Sequence, residues 1–180
     1  GRDVAPGKIL YLQFSAEGKR SELRQSLERA AVPLDDRIWI YTGPSVPDPI
    51  DALEAAVAQH RPSLVIIDTL IRWVPVSDAN DYSIMSQITE SIATVARLSG
   101  AHIMMLHHAG KADRDAGDSV LGSTAIFGGV DTLLAMRSRE GLRTLESRQR
   151  YGDDMEETVL DLDQGTGLLM AAGTLEEVEQ

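Results

Sequence analysis

The run from Leu64 to Asp68 constrains the fold more than any other stretch of the sequence. It reads L-V-I-I-D and is followed by Thr69. Four apolar residues, three of them β-branched, followed by an acid predict a short strand buried on both faces. In open α/β sheets, ligands bind at the carboxyl ends of such strands. Asp68 is therefore the first candidate functional residue. The alternative is a buried strand that merely ends in an acidic turn residue.

The length and composition of the chain fit one domain spanning residues 1–180. The chain has 180 residues, of which 43% are hydrophobic, and this supports a substantial core. It contains no cysteine, which excludes disulfides and thiolate metal sites. There is no apolar run long enough to cross a bilayer and no charged-then-apolar leader, so we expect a soluble, cytoplasmic protein without a membrane partner.

The net charge of −11 is concentrated at one end of the chain. Residues 153–180 hold nine acidic residues and no Lys or Arg, and the rest of the chain holds 17 basic against 19 acidic residues. The C-terminal excess predicts a solvated acidic face. The near-neutral body leaves nucleic acid open as a partner, but it carries no basic patch that would predict one.

Strands alternate with helices through residue 106, and strands alone follow residue 130. This order predicts an α/β fold with a mostly parallel sheet flanked by helices and right-handed crossovers, extended by antiparallel C-terminal strands. The predicted strands span 9–14, 37–41, 64–68, 101–106, 131–136, 142–150, 156–162 and 167–172. The first predicted helix spans 19–31, and the last is a short segment, 123–129. Between them, one helix starts at Asp48 and Pro49 and has an apolar stripe from 50 to 57. Another has apolar positions from 84 to 96 and ends at Gly100.

Polar groups follow three of the predicted strands, namely Glu17, Asp68 and the pair His107-His108. Cleavage of a phosphate needs a metal holder, a group that orients or deprotonates water, and a group that senses the γ-phosphate. Asp68, Glu17 and a histidine would fill these roles in that order. Alternatively, Glu17 precedes a helix and favours its dipole, and the histidines are polar residues where a strand meets solvent.

Three runs together resemble a known family. They are L-V-I-I-D-T-L-I-R-W, M-M-L-H-H-A-G-K and L-G-S-T-A-I-F-G-G-V-D-T-L. They resemble the RecA/DnaB-like ATPases, specifically the plasmid RepA type of hexameric replicative helicase, and the resemblance extends from Ile9 to about Leu162. It implies a RecA-like core, ATP and Mg²⁺ as cofactors, a ring of identical subunits, and single-stranded DNA as a candidate partner.

The resemblance also implies roles for the residues at the strand ends. Glu17, in Y-L-Q-F-S-A-E, corresponds to the catalytic glutamate, and Asp68 to the Walker B acid and metal ligand. Asp68 and Thr69 are the candidate cofactor-binding residues. His108 falls where relatives place a Gln or His that senses the γ-phosphate, with His107 beside it.

Two further segments carry expectations from the resemblance. The loop of residues 111–119 would face DNA through Lys111 and Arg114, but its net charge is −1 and it has no aromatic side chain, so a flexible solvated loop is the alternative. Arg148 and Arg150, in S-R-Q-R-Y, fall where relatives carry a K-x-R pair that reaches the nucleotide of the neighbouring subunit.

The sequence departs from the family at the phosphate loop. No G-x-x-x-x-G-K-[ST] motif occurs anywhere in the chain, and Leu121 replaces the family's Arg before Gly122-Ser123. We therefore expect that the N-terminal P-loop strand is missing and that the chain begins after it. In the family this strand lies between the strands placed here at 101–106 and 131–136.

Three functions remain open from the sequence. The first is a motor ATPase core that lacks its phosphate loop and is inactive alone, and the second is a non-catalytic RecA-like assembly or regulatory module. The third is a metal-dependent hydrolase that uses His107, His108 and Asp68. Adjacent residues of an extended strand point to opposite faces, which disfavours the third.

Overall fold

Two four-stranded sheets are built from consecutive parts of the chain. The computed structural model describes residues 6–14, 20–33, 35–74, 81–108, 123–139 and 141–178. In chain order the elements are β1 (Ile9–Gln13), α1 (Arg20–Arg29), β2 (Ile38–Tyr41), α2 (Pro49–His60), β3 (Leu64–Asp68), α3 (Leu70–Trp73), α4 (Tyr82–Ser99), β4 (His102–Met105), α5 (Ser123–Gly129), β5 (Thr132–Arg139), β6 (Leu142–Gln149), β7 (Thr158–Leu162), β8 (Leu169–Thr174) and α6 (Leu175–Val178).

The N-terminal sheet is parallel and has the strand order β2-β1-β3-β4. β1 and β3 are its interior strands, and β2 and β4 form its edges within the described residues. Gln13, the last residue of β1, is paired in register with Asp68, the last residue of β3. The predicted parallel sheet and its alternation of strands and helices are confirmed.

The first face of the parallel sheet carries the core. Because side chains alternate along a strand, Leu10, Leu12, Val65 and Ile67 share this face, and all four are buried. They pack with apolar residues of the helices that connect the strands. The residues contributed by α2 and α4 are Leu53, Val57, Met85, Ile92 and Val95.

The second face of the sheet is only partly covered. It carries Tyr11, Gln13, Ile66, Asp68 and Met104, of which only Gln13 is buried, and the Met104 side chain is 41% exposed. The sequence predicts a strand at 64–68 that is buried on both faces, but the structure buries only the first. The reason is that α1, which follows β1, has no buried residue.

The two long helices begin and end at residues that the sequence marks. α2 has Pro49 at its first position, and the carboxylate of the preceding Asp48 makes no capping hydrogen bond. α4 begins after Asp81, whose carboxylate accepts a 3.1 Å hydrogen bond from the Ile84 N–H. It ends at Gly100, whose φ of +73° is the left-handed conformation that a glycine cap supplies.

The C-terminal strands form a second, antiparallel sheet with the order β5-β6-β7-β8. We expected these strands to extend the parallel sheet. Within the described residues β5 pairs with β6 and β4 pairs with β3, so the two sheets are not joined by hydrogen bonds. The β5–β6 hairpin turns at Gly141, with φ of +88°, and pairs one edge of β5; within the described residues no strand pairs with its other edge or with the outer edge of β4.

α5 attaches the second sheet to the core of the first. Ile126 of α5 is buried in the same apolar cluster as Val65 and Ile67. Gly129, at the end of α5, packs against the buried Thr89 of α4 so closely that a β-carbon would overlap the threonine side chain. Among the described helices, none is long and apolar enough to cross a membrane.

Candidate functional site

Asp68 is held in place by the backbone on both sides of it. The Leu106 N–H donates to the Ile67 carbonyl at 2.9 Å, and the Leu70 N–H donates to the Leu106 carbonyl at 2.9 Å. The Phe14 N–H donates to the carbonyl of Asp68 itself. The Asp68–Thr69 peptide bond is cis. The carboxyl end of β3 is thus tied to β1 on one side and to the segment after β4 on the other.

The Asp68 carboxylate is hydrogen-bonded to a tyrosine of the neighbouring strand. The Tyr11 hydroxyl donates to Asp68 Oδ2 at 2.6 Å. Burial, together with the hydrogen bond and the negative charge of Asp68, raises the pKa of Tyr11 far above its usual range. Tyr11 therefore stays protonated and remains a donor at every physiological pH.

Two buried side-chain oxygens lie next to Asp68 in the sheet and in the chain. Gln13 is the register partner of Asp68, and Thr69 follows it directly. Within the described residues, Gln13 Oε1 and Thr69 Oγ1 have no hydrogen-bond partner. Buried polar atoms are nearly always paired with protein, water or a ligand. The edge beside Asp68 therefore has unused acceptor capacity.

This set of oxygen atoms suits Mg²⁺. Mg²⁺ prefers carboxylate and other oxygen ligands, keeps several waters and takes one or two carboxylates together with substrate phosphates. Asp68 supplies one carboxylate and Thr69 one hydroxyl. In the described part of the chain no group of three or more His, Asp or Glu residues could hold a metal by itself. The site fits a metal that takes one carboxylate from the protein and completes its coordination with water or with phosphates.

The two histidines follow β4, at the same edge of the sheet. His107 is half-buried and His108 is exposed. Leu106, the residue before them, is hydrogen-bonded to the residues that flank Asp68 and Thr69. The structure thus brings the start of the histidine pair to the edge where β3 ends.

Arg148 lies near the end of β6, in the second sheet, and Arg150 directly follows this strand. Arg148 Nη1 is 3.0 Å from Asp154 Oδ2, and the pKa of Asp154 is lowered by the Gln149 N–H and by Arg148. Arg150 Nη2 donates to the Gly128 carbonyl, and its Nη1 lies 3.7 Å from Asp131 Oδ1.

These contacts place the arginine pair beside α5. The two side chains line a shallow pocket of about 170 Å³ with residues of α5 and β5. Their contacts with Asp154, Gly128 and Asp131 hold them among residues of the second sheet and α5.

Three predicted site residues, Glu17, Lys111 and Arg114, lie outside the described residues. Their roles stay predictions. The loop of residues 111–119 lies outside them as well.

Sequence reasoning missed Tyr11 and Gln13. The signal was present, because positions 11 and 13 share one face of a strand and interrupt an otherwise apolar run. What the sequence does not contain is the register that sets Gln13 opposite Asp68 and Tyr11 within reach of the carboxylate.

The parallel sheet, its helices and the acidic carboxyl end of β3 define an α/β protein consistent with a RecA-like core. A family model described as an AAA domain matches residues 1–114, more than half of the chain. The chain belongs to this family of P-loop, AAA-type ATPases. Membership supports nucleotide binding and an ATPase-type function. No curated protein matches the sequence.

Proposed function

We propose that the chain is the ATPase core of a RepA-like hexameric DNA helicase and that it lacks its phosphate loop, which leaves it inactive alone. The observation that carries the proposal is the position of Asp68. It ends an interior strand of a parallel sheet, its carboxylate is held by Tyr11, and the next strand leads into His107-His108. Ligands of open α/β sheets bind at this edge.

Each candidate residue has one role in this proposal. Asp68 and Thr69 hold Mg²⁺ and the nucleotide, and the metal neutralises charge on the phosphates when it is bound. Glu17 orients or deprotonates the attacking water. His108, with His107 beside it, contacts the γ-phosphate and responds to its loss.

The open parts of the parallel sheet support the idea of a missing strand and helix. No phosphate-loop motif occurs in the sequence. Within the described residues, no strand pairs with the outer edge of β4, and few side chains cover the second face. Met104, which lies on β4 and on the second face, is exposed. Parallel sheets are normally covered by helices on both faces. A strand beside β4 with a helix over the second face would complete the sheet.

The remaining roles concern assembly. In the proposed ring, Arg148 and Arg150 reach the nucleotide of the neighbouring subunit, and Lys111 and Arg114 face single-stranded DNA. The partners in residues 123–154 that now hold the two arginines would be exchanged for phosphate contacts. Both sheets then belong to one ATPase domain.

Calorimetric titration with Mg·ATP tests the missing loop. We expect no measurable binding to residues 1–180, because the loop supplies most phosphate contacts. A longer chain that carries a phosphate loop upstream of Gly1 should bind Mg·ATP. Micromolar binding by residues 1–180 alone would contradict this part of the proposal.

Turnover in the longer chain tests Glu17 and Arg150. Glu17→Gln should keep nucleotide binding and slow hydrolysis by about a hundredfold or more. Arg150→Ala should slow it by about a thousandfold, but only in the assembled ring. Glu22→Gln on α1 and Arg143→Ala on β6 are controls at exposed positions, and they should change neither nucleotide binding nor the rate of hydrolysis. An equal loss for Arg150→Ala in a monomeric preparation would remove its role across subunits.

A second candidate is a non-catalytic RecA-like module for assembly or regulation, with which the following observation is equally compatible. The sequence lacks the phosphate-loop motif altogether. If the protein is such a module, it works without nucleotide. The two candidates differ in the longer chain, because failure to bind Mg·ATP even with a phosphate loop would favour the module.

A further inference from the structure

We propose that Tyr11 is a positioning residue for Asp68. Its hydroxyl fixes the carboxylate by occupying Oδ2, so that Oδ1 is left for a metal or for a metal-bound water. The inference rests on the proposed function, because it assumes that Asp68 serves a metal. It assigns to Tyr11 a role that the sequence patterns did not indicate.

The geometry of the sheet brings the two side chains together. Tyr11 is paired in register with Ile66, so Asp68 lies two residues further along the neighbouring strand and on the same face. Two residues of a strand span about 6 to 7 Å, roughly the length of a tyrosine side chain. The phenol therefore reaches along the sheet to the carboxylate, and the 2.6 Å distance is typical of a hydroxyl that donates to an ionised acid.

The contact restrains the carboxylate itself. The Tyr11 hydroxyl is hydrogen-bonded to Asp68 Oδ2, whereas the backbone bonds around residue 68 hold only the main chain. Both side chains are half-buried, so water competes less well than at an exposed pair.

A purely structural role for Tyr11 predicts something different. If the hydroxyl only stabilised the sheet, Tyr11→Phe would lower the free energy of unfolding and leave the mobility of the Asp68 side chain unchanged. Tyr41 provides the matched control, because its hydroxyl also donates a hydrogen bond, at 2.8 Å, to the Pro44 carbonyl and lies away from Asp68. Tyr41→Phe loses one hydroxyl and one hydrogen bond without touching the site.

The first measurement is the side-chain rotamer of Asp68, read from three-bond couplings in NMR spectra of the full chain. We expect one χ1 rotamer in the wild type and in Tyr41→Phe, and averaging over several rotamers in Tyr11→Phe. A single Asp68 rotamer in Tyr11→Phe would overturn the proposal. This measurement needs neither metal nor nucleotide.

The second measurement is Mn²⁺ binding, with Mn²⁺ alone as the probe. The amide signals of Asp68 and Thr69 should broaden at lower Mn²⁺ concentration than those of exposed acidic residues, and Asp68→Asn should abolish the difference. Tyr11→Phe should weaken Mn²⁺ binding by roughly tenfold, the smaller of the losses in affinity that follow when a residue hydrogen-bonded to a metal ligand is replaced. Tyr41→Phe should leave Mn²⁺ binding unchanged.

The two measurements separate failure of this inference from failure of the proposed function. Equal Mn²⁺ affinity in Tyr11→Phe and Tyr41→Phe would overturn positioning by Tyr11. Absence of selective broadening in the wild type would contradict the metal role of Asp68, and the rotamer measurement would still decide whether Tyr11 positions the carboxylate.

Discussion

The two faces of the parallel sheet differ although the same strands form them. On the first face Val65 and Ile67 are fully buried, whereas on the second face Ile66 and Asp68 are half-buried. Leu64 and Ile66 of the second face are as apolar as the two residues of the first, so the composition of the run up to Ile67 does not separate the faces. What separates them is the number of apolar residues that the helices bring to each side.

The helices explain the difference. α2 and α4 place five buried apolar residues against the first face. Connections between parallel strands are right-handed. The connection from β1 to β2 moves across the sheet in the direction opposite to those from β2 to β3 and from β3 to β4. The rule therefore predicts that α1 lies on the second face, opposite α2 and α4. α1 has no buried residue, so it covers little. A strand can therefore be apolar on both sides and still be buried on one.

The polar groups of the proposed site lie on the second face. Tyr11, Gln13 and Asp68 all belong to it. Burial on the first face fixes the strands, and the open second face leaves room for a ligand or for a further segment of protein. The first face thus stabilises the sheet, and the second face carries the proposed site.

The largest expected effect comes from truncating one isoleucine on each face of β3. Ile67→Ala should lower the free energy of unfolding by about 2 to 5 kcal/mol, because it leaves a cavity in the core. Ile66→Ala removes the same atoms from a half-buried site and should cost roughly 1 kcal/mol. Urea unfolding measures both. Equal losses would show that the second face is covered as well as the first.

A smaller effect is expected where α5 joins the core of the first face. Gly129→Ala places a methyl group against the side chain of the buried Thr89 and should destabilise the protein by about 1 to 3 kcal/mol. Gly128→Ala, one residue earlier in the same helix, meets no atom within 4 Å and should be neutral or slightly stabilising. Thermal unfolding of the two variants tests the packing, and an unchanged Gly129→Ala protein would argue against this contact.

The third prediction concerns alkaline pH and Tyr11 on the second face. The folded pKa of Tyr11 is raised, so its stabilising contribution is complete below the unfolded pKa of about 10 and is lost as the pH rises towards the folded pKa. Above pH 10 the wild type should lose up to about 1.4 kcal/mol of stability per pH unit from this group.

Tyr11→Phe should lack this part of the pH dependence, whereas Tyr41→Phe should keep it. Urea unfolding at several pH values from 8 to 11 provides the comparison. Parallel curves for Tyr11→Phe and the wild type would contradict the raised pKa.

The smallest effect is expected at the outer part of the second face. Met104 is 41% exposed and lies on β4, so Met104→Gln should change the free energy of unfolding by less than about 0.5 kcal/mol. It should also reduce binding of a hydrophobic dye to the folded protein, because an exposed apolar side chain is removed. A large loss of stability would mean that this part of the sheet is covered.

Much of the fold could be predicted from the sequence because its signals are local. The β-branched run of β3, the helical spacing of α4 and the glycine after it all lie within short windows. The alternation of strands and helices then gives the parallel sheet. α3 has only four residues, which is too short for a periodic pattern, and the sequence did not predict it.

The site was predictable only in part, since its contacts join distant positions. Asp68 stands out as an acid after an apolar run. Tyr11 is 57 residues away in sequence, and only the register of β1 against β3 brings its hydroxyl to the carboxylate. The formation of a separate antiparallel sheet likewise depends on which strand edges pair, and the apolar pattern of β5 does not encode that choice.

The most direct test of the central claim is ATP binding with and without Mg²⁺ in the longer chain that carries a phosphate loop. If Asp68 is the metal-binding acid, Mg²⁺ should tighten ATP binding in the wild type and in Asp161→Asn, an exposed control on β7. Asp68→Asn should bind Mg·ATP at least about tenfold more weakly and bind metal-free ATP equally well. If Asp68→Asn bound Mg·ATP as tightly as Asp161→Asn, the assignment of Asp68 would be wrong.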